Sequence, residues 1–159
     1  MSDLKIIQIP ISSNRDKSLE SRVNVYLVGT EEDSVLIDAG YDTWETYEAV
    51  EKALKSSGLA TPTRIFLTHF HPDHAPGAKR FKAWLPTIYY HKLEALGVRE
   101  ALSIDEYNEH YPLVEIEDNH RFDIGGHEMV ALHTPGHTAG HLNFYLPEQK
   151  ILFSGDNIL

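Results

Sequence analysis

The sequence contains no cysteine, so disulfide bonds, thiol nucleophiles and thiolate metal ligands are all excluded. It also has no apolar run long enough to cross a bilayer, which argues against a membrane partner. The first residues, MSDLKIIQIPISS, lack the basic start and long apolar stretch of a secretory signal. Together these absences predict a cytoplasmic protein.

Positive charge is scarce as well. There are 24 acidic residues against 14 basic ones, which gives a formal net charge of −10. Such an excess repels the phosphates of nucleic acids unless bound cations or a local basic patch reverse the field at the site. The charge therefore favours a small-molecule substrate, and RNA stays open as the other partner.

The length and composition are those of one globular unit. With 159 residues, 42% hydrophobic and 24% charged, the chain can build one compact domain with a real core but is too short for two. We therefore expect a single domain over residues 1–159.

Hydrophobic patterning predicts many strands and two early helices. Helices are predicted at 42–58, capped by Asp42 or Thr43 and ended by Gly58, and at 78–85, where Ala78, Phe81 and Leu85 are expected to be buried. Strands are predicted at 4–11, 23–28, 34–40, 64–67 and 87–90, and from residue 113 in LVEI, HRFDIGG, HEMVALHT, LNFYLP and KILFSGD. The fold class is thus mixed α/β, with sheets covered by helices.

Ten histidines are an unusual number, and three of them lie in the segment THFHPDH at 68–74. In an extended loop that leaves a strand, His69 and His71 point the same way and can share one cation. Pro72 fixes its own φ and turns the chain, which can aim Asp73 and His74 at a second position nearby. Imidazoles and a carboxylate without cysteine suit zinc, manganese or iron.

Other polar residues are ambiguous when each is considered alone. His137 lies in a tight turn, Asp156 ends an apolar strand, and Asp38 follows VLI, all of which are also ordinary turn positions. Four further histidines lie in polar surroundings and are predicted to be solvated: His91, His110, His120 and His127.

Taken together, these segments resemble one family. HFHPDH resembles the HxHxDH signature of the metallo-β-lactamase superfamily, and LIDAG before it and TPGHTAGH and FSGD after it agree with the family in order and type. The resemblance runs from about residue 22 to the last residue. It implies an αβ/βα sandwich of two similar halves with the site at one edge between the sheets, and this chain corresponds mainly to the N-terminal half.

The resemblance also implies a set of ligands for two divalent cations, most readily zinc. It puts His69, His71 and His137 on the first metal, Asp73 and His74 on the second, and Asp156 between the two. A further histidine of the family, from a later motif, has no counterpart here, so the second site is expected to lack one ligand. Asp38 is expected to orient a ligand histidine, and His141 to bond to or line the site, with a plain surface position as its alternative.

The implied chemistry is hydrolysis. Paired cations lower the pKa of a shared water, and Asp73 is the expected catalytic residue, holding the nucleophile and shuttling its proton. Glyoxalase II-type members of the family imply a small ester, thioester or lactone substrate. The β-lactamase-like endoribonuclease branch implies a phosphodiester instead. A β-lactam is not expected. The commonest secreted β-lactamases of the family use a cysteine ligand and lack the bridging aspartate, whereas this chain has no cysteine and has Asp156.

A third hypothesis is an incomplete, inactive metal-binding half-domain that needs a partner segment. Only residues 157–159 follow Asp156, so we expect the domain to be cut short at its C-terminus. The inner face of its sheet should then lack a cover and leave an apolar patch that favours homodimerisation.

Overall fold

The computed structural model describes residues 2–13, 22–105 and 111–158. The helical segments of this part are α1 (Trp44–Ser57), α2 (Ala95–Ala101) and two 3-10 segments, Pro76–Trp84 and Lys92–Glu94. Its strands are β1 (Lys5–Ser12), β2 (Arg22–Gly29), β3 (Ser34–Ile37), β4 (Arg64–Phe66), β5 (Thr87–His91), β6 (Leu113–Ile116), β7 (His120–Ile124), β8 (His127–His133), β9 (Leu142–Leu146) and β10 (Ile151–Phe153).

The first six strands form one sheet in the order β1-β2-β3-β4-β5-β6. The pairs β1–β2 and β2–β3 are antiparallel, whereas β3, β4, β5 and β6 run parallel to one another. Pro10 pairs with Asn24 on β1, which is an edge strand, as predicted from the missing N–H of proline.

The last four strands form an antiparallel sheet in the order β10-β9-β8-β7, which packs on the first sheet. The fully buried ring of Phe66 lies 4.2 Å from that of Phe122 and 5.3 Å from that of Phe144, measured between centroids. Side chains of both sheets, such as Ile37 and Met129, share this apolar layer. The prediction of an uncovered inner face is therefore wrong, because β7–β10 supply the cover.

The helical segments lie on the other face of the six-stranded sheet. Leu36 points into this layer, where Val50 of α1 and Phe81 are buried with it. Thr43 caps α1 and Gly58 ends it, as predicted. Leu85 is 84% exposed, contrary to prediction, because residues 76–84 form a kinked 3-10 segment that does not keep the 3.6-residue spacing. Every helix within the described ranges is too short or too polar to span a membrane.

Several polar loops lie together at one edge of the two packed sheets. The parallel strands β3, β4 and β5 all end there, and are followed by Asp38, by residues 67–75 and by residues 92–94. The β8–β9 connection, residues 134–141, and Asp156 after β10 reach the same edge from the second sheet. The carboxyl ends of parallel strands are the usual position of a site in an α/β sheet.

Candidate metal centre

The loop after β4 is held tightly at its start and then turns back on itself. The amide of Leu142 donates to the carbonyl of Thr68 at 2.8 Å, which ties the loop to the second sheet. The carbonyl of His71 accepts from the amides of His74 and Ala75, at 2.9 and 3.1 Å. This turn brings the ring of His74 to 4.2 Å from that of His69, between centroids.

Four side chains converge at the first candidate site: His69, His71, His137 and Asp156. Their potential ligand atoms all lie within 4.8 Å of one another. His71 Nδ1 is 3.0 Å from His137 Nε2, which in turn is 3.3 Å from Asp156 Oδ2. His69 Nε2 lies 3.6 Å from the same carboxylate oxygen. Three imidazole nitrogens and one carboxylate thus face a common point.

A second group adjoins the first and shares Asp156 with it. It contains Asp73, His74 and Asp156, again with ligand atoms within 4.8 Å of one another. His74 Nε2 lies 3.1 Å from Asp156 Oδ1 and 3.6 Å from Asp73 Oδ2. Asp156 therefore turns one oxygen toward each group, which is the arrangement that a bridging ligand requires.

Two buried atoms in these groups have no hydrogen-bond partner, His69 Nε2 and His74 Nε2. Leaving a buried polar atom unpaired costs about 1–3 kcal/mol, and a cation between these nitrogens and Asp156 would satisfy both of them. Nitrogen and oxygen donors without thiolate suit zinc, manganese or iron. The residues present therefore fit the divalent cations that the sequence predicts.

The hydrogen bonds around Asp38 determine which ring nitrogens carry protons. Asp38 is buried and accepts from the Thr68 amide, the Thr68 hydroxyl and His74 Nδ1, each at 2.8 Å. Because the Thr68 hydroxyl donates to Asp38, it accepts from His69 Nδ1, 2.9 Å away. In their neutral forms both imidazoles then carry their proton on Nδ1 and offer the Nε2 lone pair to a cation.

His141 is fully buried, so the surface alternative considered for it is wrong. Its ring stacks on that of His69 at 4.9 Å, and the amide of Asp156 donates to its Nε2 at 3.2 Å. The side-chain amide of Asn157 lies 3.1 Å from its Nδ1. Burial, and next the charges of neighbouring histidines, lower the pKa of His141 to about 4, which keeps this ring neutral.

Burial and neighbouring charges also shift the ligand groups. Burial lowers the pKa of His71, and the charges of His69 and His137 lower it further. Contacts with His69 and His74 hold the pKa of Asp156 well below its usual range. Burial alone would lower the pKa of His74, but the carboxylates of Asp38, Asp156 and Asp73 together raise it to about 10. A cation that binds His74 must therefore displace its proton.

Two histidines predicted to be solvated are buried instead. His91 stacks on His133 with 4.0 Å between centroids, and its Nδ1 accepts from the amide of Leu93. His127 Nε2 donates to the carbonyl of Ser2 at 2.9 Å. His120 is exposed, as predicted, and His110 lies outside the described residues.

Sequence reasoning missed three polar residues around the ligands: Thr68, Glu94 and Asn157. Thr68 and Glu94 are buried, and the amide of Asn157 contacts Thr134 at 2.7 Å as well as His141. A signal was present for Glu94, which follows the end of a parallel strand by three residues. Thr68 and Asn157 each adjoin a predicted ligand.

The model of the Metallo-beta-lactamase superfamily matches residues 19–159. The lactamase-like protein adaB of Aspergillus niger is 33% identical over 139 residues, which are 86% of this chain and 39% of that protein. An atrochrysone carboxyl ACP thioesterase of Aspergillus terreus is 29% identical over 149 residues, 94% of this chain and 42% of that protein. The chain thus spans about two fifths of the length of these curated relatives.

Among solved structures, a metallo-beta-lactamase family protein of Thermus thermophilus superposes with a TM-score of 0.78 at 26% identity. The match covers 97% of this chain and 60% of that one. These likenesses confirm the predicted resemblance and the predicted αβ/βα fold class, of which this chain forms a part.

Proposed function

This chain belongs to the metallo-beta-lactamase superfamily, and on that premise we propose that it is a metal-dependent hydrolase acting on a thioester. The observation that carries the proposal is the pair of ligand groups that share Asp156. Further support comes from the unpaired Nε2 atoms of His69 and His74, both buried and both close to that carboxylate.

In this proposal the ligands follow the two groups. His69, His71 and His137 would hold one cation, Asp73 and His74 would hold the other, and Asp156 would contribute to both sites. Zinc is the proposed metal because it binds imidazole and carboxylate without a geometric preference of its own; manganese and iron are the alternatives. Divalent cations bound there would polarise a substrate carbonyl and acidify a water molecule.

Asp73 is the proposed proton acceptor of the reaction. Its side chain is 33% exposed, whereas that of Asp156 is 21% exposed and has both oxygens directed at histidines. One oxygen of Asp73 is 3.6 Å from His74 Nε2, which leaves the other free to take the proton of the attacking water. Asp38 and Thr68 keep His74 and His69 oriented while this happens.

The thioester class is favoured over a phosphodiester for two reasons. One relative is named an acyl-carrier-protein thioesterase, and the net charge of −10 repels a polyanion such as RNA. An apolar rim also flanks the loop at 67–75, where Phe70, Pro72, Pro76 and Gly97 are among the residues that line a cleft. Such a rim suits the acyl part of a thioester.

The test is hydrolysis of a panel of acyl-CoA thioesters, followed by thiol release, with single-stranded RNA as the competing substrate. We expect turnover of thioesters by zinc-loaded protein, and loss of turnover in His71→Ala and Asp73→Asn. His120→Ala removes an exposed histidine and serves as the matched control, with activity unchanged. Cleavage of RNA without thioester turnover would instead support the phosphodiester class.

A second candidate is a metal-binding module that needs another segment to turn over substrate. It is favoured by the composition of the second group, which has three members and shares one of them with the first. Metal titration after dialysis distinguishes the two candidates. A self-sufficient hydrolase should bind two cations per chain with comparable affinity, whereas the module should hold the first well and the second loosely.

A further inference from the structure

Glu94 is a buried carboxylate that the proposed reaction does not use. It ends the 3-10 segment between β5 and α2, and only 2% of the residue is exposed. A buried carboxylate is costly unless its oxygens accept hydrogen bonds. Glu94 Oε2 accepts from the amide of Phe70 at 3.2 Å, and Oε1 accepts from the amide of Gly140 at 2.7 Å.

The two amides belong to the two loops that carry the first group of ligands. Phe70 lies between His69 and His71, and Gly140 follows His137 by three residues. Each oxygen of one carboxylate therefore holds one loop. The two loops approach each other at His71 and His137, where the candidate ligand atoms His71 Nδ1 and His137 Nε2 are 3.0 Å apart.

We propose that Glu94 is a positioning residue, which sets the separation of His71 from His137 and thereby the affinity of the first metal group. The inference rests on the proposed function insofar as those histidines bind a cation. The bonds of Glu94 to the two loops exist independently of any cation.

The role requires two acceptor oxygens and the length of glutamate. Ionised glutamate accepts at both oxygens, and hydrogen bonds from backbone amides to a carboxylate are strong ones. In glutamine one oxygen is replaced by an NH₂ group, which would face one of the two backbone amides donor to donor. Aspartate keeps the charge but is one methylene shorter and cannot span the same gap.

Gly140 completes the contact from the other side. A Cβ on Gly140 would lie 2.7 Å from Glu94 Cγ and 2.9 Å from its Oε1, so any larger residue pushes this loop away from the carboxylate. Gly136 lies in the same loop, and a Cβ there would meet nothing nearer than Asn157 Oδ1 at 4.0 Å. The two glycines therefore form a matched pair for substitution.

A second contact holds the same loop from the same segment. His91, three residues before Glu94, stacks on His133, the last residue of β8. His133 Nε2 donates to the carbonyl of Ala139 at 2.9 Å, which closes the loop from within. Residues 91–94 thus contact His133, directly before the 134–141 loop, and Gly140 near the end of that loop.

The experiment compares four variants of the full chain: Glu94→Gln and Gly140→Ala, with Gly136→Ala and the exposed Glu115→Gln as controls. Zinc affinity is measured by competition with a chromophoric chelator. Amide hydrogen exchange of Phe70 and Gly140 is measured by NMR on metal-free protein. We expect Glu94→Gln and Gly140→Ala to weaken zinc binding about 10–100-fold and to speed exchange at both amides, with both controls within about twofold of the wild type.

The double variant sharpens the test. Glu94→Gln and Gly140→Ala break the same contact. The fold-loss of zinc affinity in the double variant should therefore be smaller than the product of the fold-losses in the two single variants. If Glu94→Gln does not fold, folded Gly140→Ala decides the question by the same two measurements. A folded variant that melts earlier but keeps wild-type zinc affinity and amide exchange would overturn the proposal.

Failure of the proposed function can be distinguished from failure of this inference. If the wild type binds no zinc, the hydrolase proposal fails, and amide exchange in metal-free Glu94→Gln still decides whether Glu94 holds the two loops. Unchanged exchange there overturns the inference, and faster exchange at both amides supports it.

Discussion

Asp38 Oδ2 lies 2.8 Å from His74 Nδ1 and 2.8 Å from the Thr68 hydroxyl, so one buried oxygen orients the buried imidazoles of both His74 and His69, two of the candidate ligands. His74 is held directly, and His69 is held through Thr68. Asp38 itself has a φ of 56°, a conformation that few residues other than glycine and the short polar ones adopt. The backbone after β3 thus turns sharply to place this carboxylate beneath the site.

Asp38→Asn should weaken the binding of divalent cations about 10–100-fold, because the one oxygen of an amide cannot accept all three hydrogen bonds that the carboxylate accepts from the Thr68 amide, the Thr68 hydroxyl and His74 Nδ1. It should also lower the pKa of His74 in metal-free protein, since Asp38 supplies the negative charge that most raises it. Zinc competition and NMR titration of the ring measure the two effects. The exposed Asp3→Asn is the control, and wild-type values for both quantities in Asp38→Asn would contradict this role.

Thr68→Val should destabilise the metal-free protein by about 1–3 kcal/mol, because it leaves His69 Nδ1 buried without its acceptor. Thr68→Ser keeps the hydroxyl and should retain most of the stability. Urea unfolding of both variants measures the difference. Equal free energies of unfolding for valine and serine would show that the hydroxyl contributes no such bond.

Phe66→Ala should lower the free energy of unfolding by about 3–5 kcal/mol, the usual cost of emptying a buried phenylalanine site. Phe66 is the last residue of β4, directly before the loop at 67–75 that carries His69, His71, Asp73 and His74. Its ring contacts side chains of the second sheet. Leu96→Ala, at an 86% exposed position, should change the stability by less than about 0.5 kcal/mol. A small effect of Phe66→Ala would mean that the two sheets do not share this core.

Much of the fold was predictable because its signals are local. Each strand is marked by its own apolar run, and the spacing of His69 and His71 requires only that the loop after β4 be extended. Capping by Thr43 and termination by Gly58 are likewise properties of a few adjacent residues. The shared position of Asp156 was expected only through the family resemblance, since nothing near it in sequence distinguishes a ligand from a turn former.

The features that sequence reasoning missed depend on contacts between distant residues. Glu94 and Gly140 are 46 positions apart, and neither reveals the contact by its own neighbours in sequence. His91 was predicted to be solvated because its sequence neighbours are polar, yet the ring of His133 covers it. The cover of the inner sheet face was missed because the apolar runs from residue 113 predict strands but not the sheet that each strand joins.

The stability of the chain should fall in mild acid, partly through His91. Burial lowers the pKa of His91, and the charges of His133 and Lys92 lower it further, against the opposing effect of Glu117 and Glu94. The unfolded chain takes up this proton near pH 6.5, whereas the folded chain takes it up only at lower pH. The contribution of His91 to stability is therefore complete above about pH 6.5 and is lost as the pH falls toward its folded pKa.

His91→Asn isolates this contribution, because an asparagine oxygen can still accept from the amide of Leu93 but does not titrate. The melting temperature of the metal-free variant should fall less between pH 7.5 and pH 5 than that of the wild type. It should still fall, since the pKa values of His71 and His141 are also lowered, and His74, whose pKa is raised, adds stability only down to about pH 6.5. His120→Asn removes an exposed histidine and should leave the wild-type slope unchanged. Parallel slopes for His91→Asn and the wild type would mean that protonation of His91 does not destabilise the folded chain, which would contradict this prediction.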